Sequence, residues 1–377
     1  MTTPPKRTGE PLRIELLRAR SFRNLAPLAL CPGPHFNVLH GDKGAGKSNI
    51  LEAIHYLGAL RSFRNARAQE LLAVGSETAT LDARISDRAA SRTATVELNR
   101  RGPRRLTLDG KRPRLTAAWY TAVPVVLFHP GDVTLPSGSK EGRRALLDRV
   151  LEQMDPTYGA ALKDYDRALR SRNRLLRDGV ADHRAISAYD EMLASAGAVV
   201  GRARAELVRE LGPLAEASFG QMVGEDLPLR IRYLPRVEPE IESLRAALRR
   251  SLDRDRLRGF TAEGPHADDV TFEVKAGLSA RHHASQGQHR ALVLALKVAE
   301  LSALSRRTGR IPILLLDDVS SELDDARNRR FFELLGSLGG QVFLTTTRPG
   351  YILLESDRCD FQVSAGRVTG PGAAPLA

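Results

Sequence analysis

Apolar residues near the N-terminus follow two different periodicities. Short alternating or continuous apolar runs at residues 12–19, 25–30 and 35–40 predict three β-strands. From residue 48 to residue 60 the apolar positions recur three and four residues apart, which predicts an amphipathic helix. The pattern therefore predicts a strand, then a glycine-containing loop, then a helix.

The same patterns divide the rest of the chain. Residues 78–115 alternate between apolar and polar positions, which predicts an antiparallel hairpin region. Residues 142–259 are long stretches rich in Ala, Leu and Arg, which is typical of helices. Further elements are predicted as strands at 123–128, 270–274, 311–316 and 341–345 and as a helix at 286–304.

These elements place α/β material at both ends of the chain and helices in the middle. The simplest arrangement is one α/β domain interrupted by an inserted helical arm. We assign the N-terminal half of the domain to residues 12–140, the arm to 141–262 and the C-terminal half to 263–365. The two chain ends, the second of which is rich in Gly, Pro and Ala, are predicted to be a disordered leader and tail, at 1–11 and 366–377.

Composition and charge narrow the class of protein. The 377 residues carry 57 Lys and Arg against 45 Asp and Glu, a net charge of +12, which favours a polyanionic partner, with nucleic acid or an acidic membrane surface considered first. The excess lies in residues 1–140, with 22 basic and 11 acidic side chains, because the other parts are nearly balanced. The two cysteines, Cys31 and Cys359, form no metal or disulfide pattern, and no apolar run approaches the roughly 20 residues of a membrane span. We therefore expect a cytoplasmic protein.

A phosphate-binding motif lies between the third strand and the first helix. The spacing G-x4-G-K-S in this context predicts a loop whose backbone amides, with the helix N-terminus, bind phosphate oxygens. Lys47 is predicted to reach the β and γ phosphates of a nucleoside triphosphate, and the Ser48 hydroxyl to ligate Mg²⁺. The loop consists of Gly41, Asp42, Lys43, Gly44, Ala45, Gly46, Lys47 and Ser48.

A pair of carboxylates ends a predicted buried strand near the C-terminus. Asp317 is predicted to hold the Mg²⁺ ion, and Asp318 to orient or deprotonate the attacking water, because phosphoryl transfer depends mainly on positioning and charge neutralisation. Asp317, Asp318 and Lys47 are therefore the candidate catalytic residues. Without the phosphate-binding loop, a strand followed by an acidic turn would explain this pair equally well.

The separation of the two motifs points to a particular class of ATPase. Lys47 and Asp317 are 270 residues apart, which is far more than a compact nucleotide-binding sheet requires. A segment about 30 residues before Asp317 looks like a variant of the ABC-type signature sequence. It comprises Ser285, Gln286, Gly287 and Gln288. It begins a predicted helix, and the Ser cap and the free amides of that helix start make a second anion site. Two phosphate-binding elements in one chain suggest that two protomers complete each other's sites head to tail.

Several motifs occur in an order and spacing typical of one family. They are SFRNL at 21–25, LEAIHYL after the phosphate-binding loop, LRSFR at 60–64, FHPGD at 128–132 with the following RRALLD, GPHADD at 264–269, SQGQHR at 285–290 and PILLLDDVSSELD at 312–324. In these motifs, and over nearly its whole length, the chain resembles the RecF family, the ABC-type DNA-repair ATPases of bacteria.

The resemblance implies an α/β fold, an ABC-type P-loop ATPase head of mixed sheet and helices interrupted by the helical arm. It implies a slow Mg²⁺-dependent ATPase whose ATP-dependent homodimer binds DNA at single-strand/double-strand junctions. With RecO and RecR, such a protein helps to load RecA during recombinational repair and replication-fork maintenance. It also implies that residues 321–324 are the D-loop that connects the two sites, and that Arg23 and Asn24 lie near the nucleotide, although Arg23 alone would fit a solvated strand end.

Three features depart from the patterns expected of ABC proteins or of the RecF family. Thr345-Thr346-Thr347 stands where many ABC proteins have a switch histidine, as is usual in RecF-like sequences, so a hydroxyl would have to sense the γ-phosphate. Residues 127–132, the equivalent of the Q-loop, contain no Gln, and Ala267 replaces an Arg that the family generally places after GPH. His266 in that motif is interpreted more readily as an exposed loop histidine than as a functional one.

The predicted hairpin carries a dense basic cluster. Seven positive charges against the single acid Asp109 suit duplex phosphates, although exposed arginines can also simply protect an edge strand from aggregation. The candidate DNA-binding residues are Arg100, Arg101, Arg104, Arg105, Lys111, Arg112 and Arg114.

Two other classes of protein share the phosphate motifs. The ATPase subunit of a membrane transporter has both, but it needs neither a basic hairpin nor an arm of about 120 residues before the signature. An SMC-like structural clamp needs long heptad coiled coils, which this chain lacks.

Overall fold

The computed structural model describes residues 9–113, 116–179, 183–223, 227–274, 277–319, 324–354 and 357–376. The chain divides into two compact units. Unit 1 contains residues 1–133, 214–227 and 285–377, and unit 2 contains residues 134–213 and 228–284.

The strands and helices follow the chain in this order. The strands are β1 (Glu10–Pro11), β2 (Arg13–Arg20), β3 (Leu28–Leu30), β4 (Phe36–His40), β5 (Thr78–Ser86), β6 (Ser91–Asn99), β7 (Arg105–Leu108), β8 (Val125–Phe128), β9 (Leu229–Leu234), β10 (Asp269–Val274), β11 (Leu278–Ser279), β12 (Arg310–Ile311), β13 (Ile313–Leu316), β14 (Val342–Thr346), β15 (Arg358–Ser364), β16 (Arg367–Thr369) and β17 (Ala373–Pro375). The helices are α1 (Lys47–Ala59), α2 (Thr116–Ala122), α3 (Lys140–Met154), α4 (Pro156–Arg177), α5 (His183–Val223), α6 (Ile241–Arg258), α7 (Ala280–His283), α8 (Gln286–Thr308) and α9 (Asp325–Leu338).

Unit 1 contains a mainly parallel sheet that carries the phosphate-binding loop. Its strand order within the described residues is β16-β15-β4-β14-β13-β8, and β16 alone pairs antiparallel. Every residue of β8, β13 and β14 is buried, as expected for parallel strands covered on both faces. The carboxyl ends of β4, β13 and β14 therefore meet at one edge, where α/β proteins bind their ligands.

A second sheet of unit 1 is antiparallel, in the order β17-β3-β2-β5-β6-β7. Buried and accessible residues alternate along β5 and β6, so one face packs on the core. Helix α1 contacts strands of both sheets, and its residues Ile50, Leu51, Ile54 and Leu57 belong to a large buried apolar cluster. The predicted strands and the predicted α1 are confirmed, with shifts of a few residues at their ends.

Unit 2 combines α3, α4, α6 and part of α5 with a small antiparallel sheet in the order β11-β10-β9. Its interior contains ion pairs as well as apolar side chains. Fully buried Arg172 donates to Asp190 at 2.7 Å and to Asp255 at 2.9 Å. Because a buried charge is costly without a partner, these pairs fix which surfaces of the helices face each other.

The helical arm predicted at 141–262 differs from unit 2. Residues 229–234 form strand β9 instead of continuing a helix, because Leu229, Ile231 and Tyr233 alternate with arginines and pair with β10. Residues 214–227 belong to unit 1, and the division falls at Pro213 inside α5.

The prediction of disordered chain ends is wrong where the structure describes them. Glu10 and Pro11 pair with Arg310 and Ile311, while residues 1–8 lie outside the described residues. In the tail, β16 and β17 extend the two sheets. Ala365 and Gly366 both have positive φ and form the two-residue hairpin turn that joins β15 to β16. Small residues of this kind are typical of a disordered end, but here they form a tight turn.

Candidate functional site

The phosphate-binding loop joins β4 to α1 through backbone conformations that favour glycine. Gly41 has φ +148°, and a Cβ on it would lie 2.1 Å from the carbonyl oxygen of Val363. Gly46 has φ +111° and is the N-cap of α1. The free amides of the first turn of a 13-residue helix thus follow the loop directly, and such amides bind anions.

Lys47 lies inside this loop. Its side chain is largely buried, and Nζ donates to the carbonyl oxygens of Gly41 at 2.7 Å and Asp42 at 2.8 Å. Burial lowers the pKa of the Lys47 ammonium below its ordinary value, while the carboxylates of Asp318, Asp317 and Asp42 oppose that shift. The Lys47 ammonium is therefore partly desolvated and bonded to two carbonyl oxygens. A phosphate is a stronger partner for this cation and can replace the carbonyl groups.

A hydrogen bond joins the two distant motifs. Ser48 Oγ donates to Asp317 Oδ1 at 2.7 Å, although 269 residues separate them in sequence. Thr345 Oγ1 donates to the same oxygen at 2.8 Å, and Asp317 is only 8% exposed. Since a carboxylate is buried at a cost unless it is hydrogen-bonded, these two hydroxyls stabilise Asp317 at the end of β13.

Asp318 lies where the backbone leaves the strand. Its φ is +51°, a left-handed conformation that Asp adopts more readily than most residues, and its amide donates to Thr345 Oγ1 at 2.9 Å. Asp318 is more accessible than Asp317. The two neighbouring carboxylates therefore have different surroundings, as different roles require.

The side chains present fit a Mg²⁺ ion. A hydroxyl has one proton and two lone pairs, so Ser48 can keep donating to Asp317 while its oxygen ligates a cation. Among the described residues no cluster of three or more His, Cys, Asp and Glu could hold a metal unaided. This pattern fits Mg²⁺, which proteins bind through one or two carboxylates completed by substrate phosphates.

Asn24 and the C-terminal turn support the loop from outside. Asn24 Oδ1 accepts from Asn49 Nδ2 at 2.6 Å, and a Cβ on Gly46 would lie 3.2 Å from that oxygen. Gly366 donates its amide to the carbonyl oxygen of Ala45 at 2.8 Å. Sequence reasoning missed Gly366, and the only signal for a turn there is a glycine between two valine-containing runs.

Arg23 is engaged by a carboxylate on α1. Its Nε and Nη2 donate to the two carboxylate oxygens of Glu52 at 2.9 and 3.0 Å, and Glu52 is fully buried. Ser62 Oγ also donates to Glu52, at 2.5 Å. Arg23 is thus tied to the helix that follows the loop, and its contact with a nucleotide stays a prediction. Glu52 was missed, although an acidic residue within the apolar stripe of α1 could have signalled a buried ion pair.

The predicted signature forms the N-terminus of α8. Ser285 Oγ accepts from the amide of Gln288 at 3.2 Å, while Gln288 Oε1 accepts from the amide of Ser285 at 2.9 Å. This reciprocal capping box fixes the helix start, and Ser285 and Gln286 are exposed. A Cβ on Gly287 would lie 2.6 Å from Arg327 Nη1, so α9 packs closely at this point.

The segment after β8, predicted to replace the Q-loop, is built around His129. The ring of His129 stacks on Phe63 with centroids 5.5 Å apart, and its Nε2 lies 3.4 Å from Asp132 Oδ1. Asp317 donates its amide to the carbonyl oxygen of Phe128 at 2.9 Å, which places the segment beside the tandem carboxylates. Of the predicted D-loop, residues 321–323 lie outside the described residues, and Asp324 is the N-cap of α9.

His266 belongs to a half-buried hydrogen-bond network of unit 2. The Tyr165 hydroxyl lies 2.6 Å from His266 Nδ1, and His266 Nε2 lies 2.9 Å from the carbonyl oxygen of Thr261. Because a carbonyl only accepts, Nε2 carries the proton, and burial lowers the pKa of the imidazole. The expectation of an exposed loop histidine is wrong, since this side chain joins α4 to the GPHADD segment.

The basic hairpin contains arginines that are anchored to backbone carbonyl groups and cations that are not, one of which, Arg105, lies 3.9 Å from Glu97 Oε1. Arg100 donates twice to the carbonyl oxygen of Ser76, and Arg104 donates to the carbonyl oxygen of Leu60, at the end of α1. These two arginines therefore hold the hairpin in place. The exposed cations that remain are Arg101, Arg105, Lys111 and Arg112. Arg114 lies outside the described residues.

Comparisons with known proteins agree with this geometry. The family model described as the RecF/RecN/SMC N terminal domain matches residues 13–360. The DNA replication and repair protein RecF of Myxococcus xanthus (strain DK1622) is 40% identical over 347 residues, which cover 89% of this chain and 91% of that protein. A solved structure of the recombination mediator protein RecF with ATP, from the RecFOR pathway, superposes with a TM-score of 0.88 at 29% identity, covering 96% of this chain and 98% of the other.

A more distant match shares the fold alone. The Smc head domain of Pyrococcus furiosus, bound to the C-terminal domain of ScpA, superposes with a TM-score of 0.58 at 16% identity. The match covers 97% of this chain and 96% of the other. The fold is therefore the α/β ABC-type ATPase head that RecF and SMC proteins have in common.

Proposed function

Because the chain belongs to the RecF family, we propose that it is a Mg²⁺-dependent ATPase whose ATP-bound dimer binds DNA during recombinational repair and replication-fork maintenance. The observation that carries the proposal is the hydrogen bond of 2.7 Å between Ser48 and Asp317. It unites the phosphate-binding loop with the tandem carboxylates, and this combination serves phosphoryl transfer from a nucleoside triphosphate. The solved relative that binds ATP supports ATP as that nucleotide.

Each side chain of the site has a separate task. Lys47 exchanges its carbonyl partners for the β and γ phosphates, while the amides of the loop and of α1 bind further phosphate oxygens. Ser48 and Asp317 hold Mg²⁺, which when bound neutralises charge on the phosphates. Asp318 orients and deprotonates the attacking water, since it is the accessible member of the pair.

The exposed signature serves a second protomer. Ser285, Gln286, Gly287 and Gln288 form a capped helix start, whose amides suit the γ-phosphate bound by the partner. Hydrolysis therefore requires two chains arranged head to tail, so ATP stabilises the dimer and hydrolysis releases it. The dimer closes on DNA in this way.

The DNA contact is assigned to Arg101, Arg105, Lys111 and Arg112. All four are exposed. They can pair with DNA phosphates, which releases the counterions bound to the DNA and needs no contact with the bases. The preference for single-strand/double-strand junctions, the cooperation with RecO and RecR in loading RecA, and the cytoplasmic location are proposed from the relatives, which are DNA replication and repair proteins.

Two alternatives receive less support. A transporter ATPase would not need the basic hairpin, and the family match covers the span from 13 to 360. None of the helices in the described part of the chain has the length and apolarity to cross a bilayer. An SMC-like clamp shares the fold, but its defining coiled coils exceed the helices described here.

Sedimentation velocity tests the proposal. The purified chain should be a monomer without nucleotide and a dimer with ATP and Mg²⁺, and gapped DNA should sediment with the dimer more readily than duplex or single-stranded DNA. The Lys47→Met variant is the control, because it loses the cation that binds the β and γ phosphates. A wild-type chain that dimerises and binds DNA equally well without ATP would overturn the proposal.

A further inference from the structure

One buried hydroxyl lies between the two carboxylates of the proposed site. Thr345 is 1% exposed and follows Leu344, which pairs with Leu316 in the parallel ladder, so it stands beside Asp317 at the ends of β14 and β13. Its Oγ1 donates to Asp317 Oδ1 at 2.8 Å and accepts the amide of Asp318 at 2.9 Å.

These two bonds leave little capacity for another role. A threonine hydroxyl has a single proton, and in this structure that proton is given to Asp317. Donation to a γ-phosphate would break that bond and leave a buried carboxylate with one partner fewer. The position that often holds a γ-phosphate-sensing histidine in ABC proteins is therefore used differently here.

We propose that Thr345 is a positioning residue that sets the orientation of both carboxylates. Through its proton it fixes which oxygen of Asp317 faces Ser48, and through its lone pair it holds the amide of Asp318 in the left-handed turn. Loss of a side chain that orients a metal ligand in this way typically costs about 10- to 100-fold in metal affinity or activity. This inference rests on the proposed ATPase function.

The test compares Thr345→Val with Thr345→Ser and with Thr95→Val. Valine keeps the shape of threonine but removes the hydroxyl, and serine restores it. Thr95 is the matched control, because its hydroxyl also donates to an aspartate, Asp82 Oδ2 at 2.8 Å, but it lies on β6 of the antiparallel sheet, outside the proposed site. The measurements are ATP turnover, the Mg²⁺ concentration needed for binding of a fluorescent ATP analogue, and binding of that analogue without Mg²⁺.

Thr345→Val should lower turnover and raise the Mg²⁺ requirement, each by roughly 10- to 100-fold. Binding without Mg²⁺ should stay parental and shows that the variant is folded. Thr345→Ser and Thr95→Val should stay near the parental chain. Parental turnover and Mg²⁺ dependence in Thr345→Val, or equal losses in Thr95→Val or Thr345→Ser, would overturn the inference.

The wild-type chain separates this test from that of the proposed function. If it binds the analogue but does not hydrolyse ATP, the proposed ATPase is wrong, while the Mg²⁺ titration of the variants still decides the role of Thr345. If it binds no nucleotide, both proposals are wrong.

Discussion

At the scale of single residues, the site contains two neighbouring carboxylates that are chemically the same but lie in different surroundings. Asp317 is buried and receives two hydroxyl donors, whereas its neighbour Asp318 is more accessible and has a left-handed backbone. The motif could predict that two acids lie here. It could not predict the turn at Asp318, because the Asp318 amide that holds this conformation donates to Thr345, on a strand 27 residues further along.

Asp318→Asn separates binding from hydrolysis. Asn also tolerates the left-handed region, so the backbone should be kept while the base is lost. ATP and Mg²⁺ should still bind and the ATP-dependent dimer should persist, while turnover falls by about 10²- to 10⁴-fold, the usual contribution of a general base. Asp357→Asn is the matched control, because Asp357 has a similar φ of +55° and lies outside the site. Parental turnover in Asp318→Asn would show that Asp318 is not the base.

At the scale of elements, the sequence predicts regular patterns well and irregular partners poorly. The apolar runs at β8, β13 and β14 and the periodicity of α1 are local signals, so these elements were confirmed. Strand β9 was missed, because its alternation is short and its arginines resemble those of the neighbouring helices. The turn at Gly366 was missed because its composition is also that of a disordered tail.

The basic hairpin leads to a prediction at the scale of elements. Replacing Arg101, Arg105, Lys111 and Arg112 by Gln should weaken binding to duplexes of any sequence and leave ATP binding unchanged. If each cation neutralises one phosphate, the slope of log affinity against log salt should flatten by roughly 3 to 4, about 0.9 for each contact. Arg104 is left intact because it caps α1.

A matched control removes the same charges from α4. Lys163, Arg167, Arg170 and Arg174 are likewise one lysine and three arginines, and all four are exposed. Their replacement by Gln should leave the salt slope near its parental value. If the α4 variant flattens the slope and the hairpin variant does not, the DNA path lies on unit 2 and the hairpin merely protects an edge strand.

At the scale of the whole molecule, the main feature is that one chain carries two candidate phosphate-binding elements. In the proposed function, the loop before α1 binds ATP through Lys47, and the exposed helix start at Ser285 binds the γ-phosphate of the ATP that a partner holds. The order and spacing of the two motifs are visible in the sequence, and the family match over residues 13–360 agrees with them. A site made by both elements would form only in a dimer, so the structure of a single chain cannot contain it.

The most direct test of this account mixes two inactive variants. Ser285→Arg should bind ATP with its own loop but obstruct the partner's γ-phosphate, while Lys47→Met should offer an intact signature but bind no ATP. Each variant alone should therefore lack turnover. In a mixed dimer the loop of the first meets the signature of the second, so one complete site forms and ATP hydrolysis should reappear on mixing, with a rate that rises more steeply than linearly with protein concentration. Two variants that bind as expected but stay inactive when mixed, or a Ser285→Arg chain that hydrolyses ATP alone at the parental rate, would contradict the account.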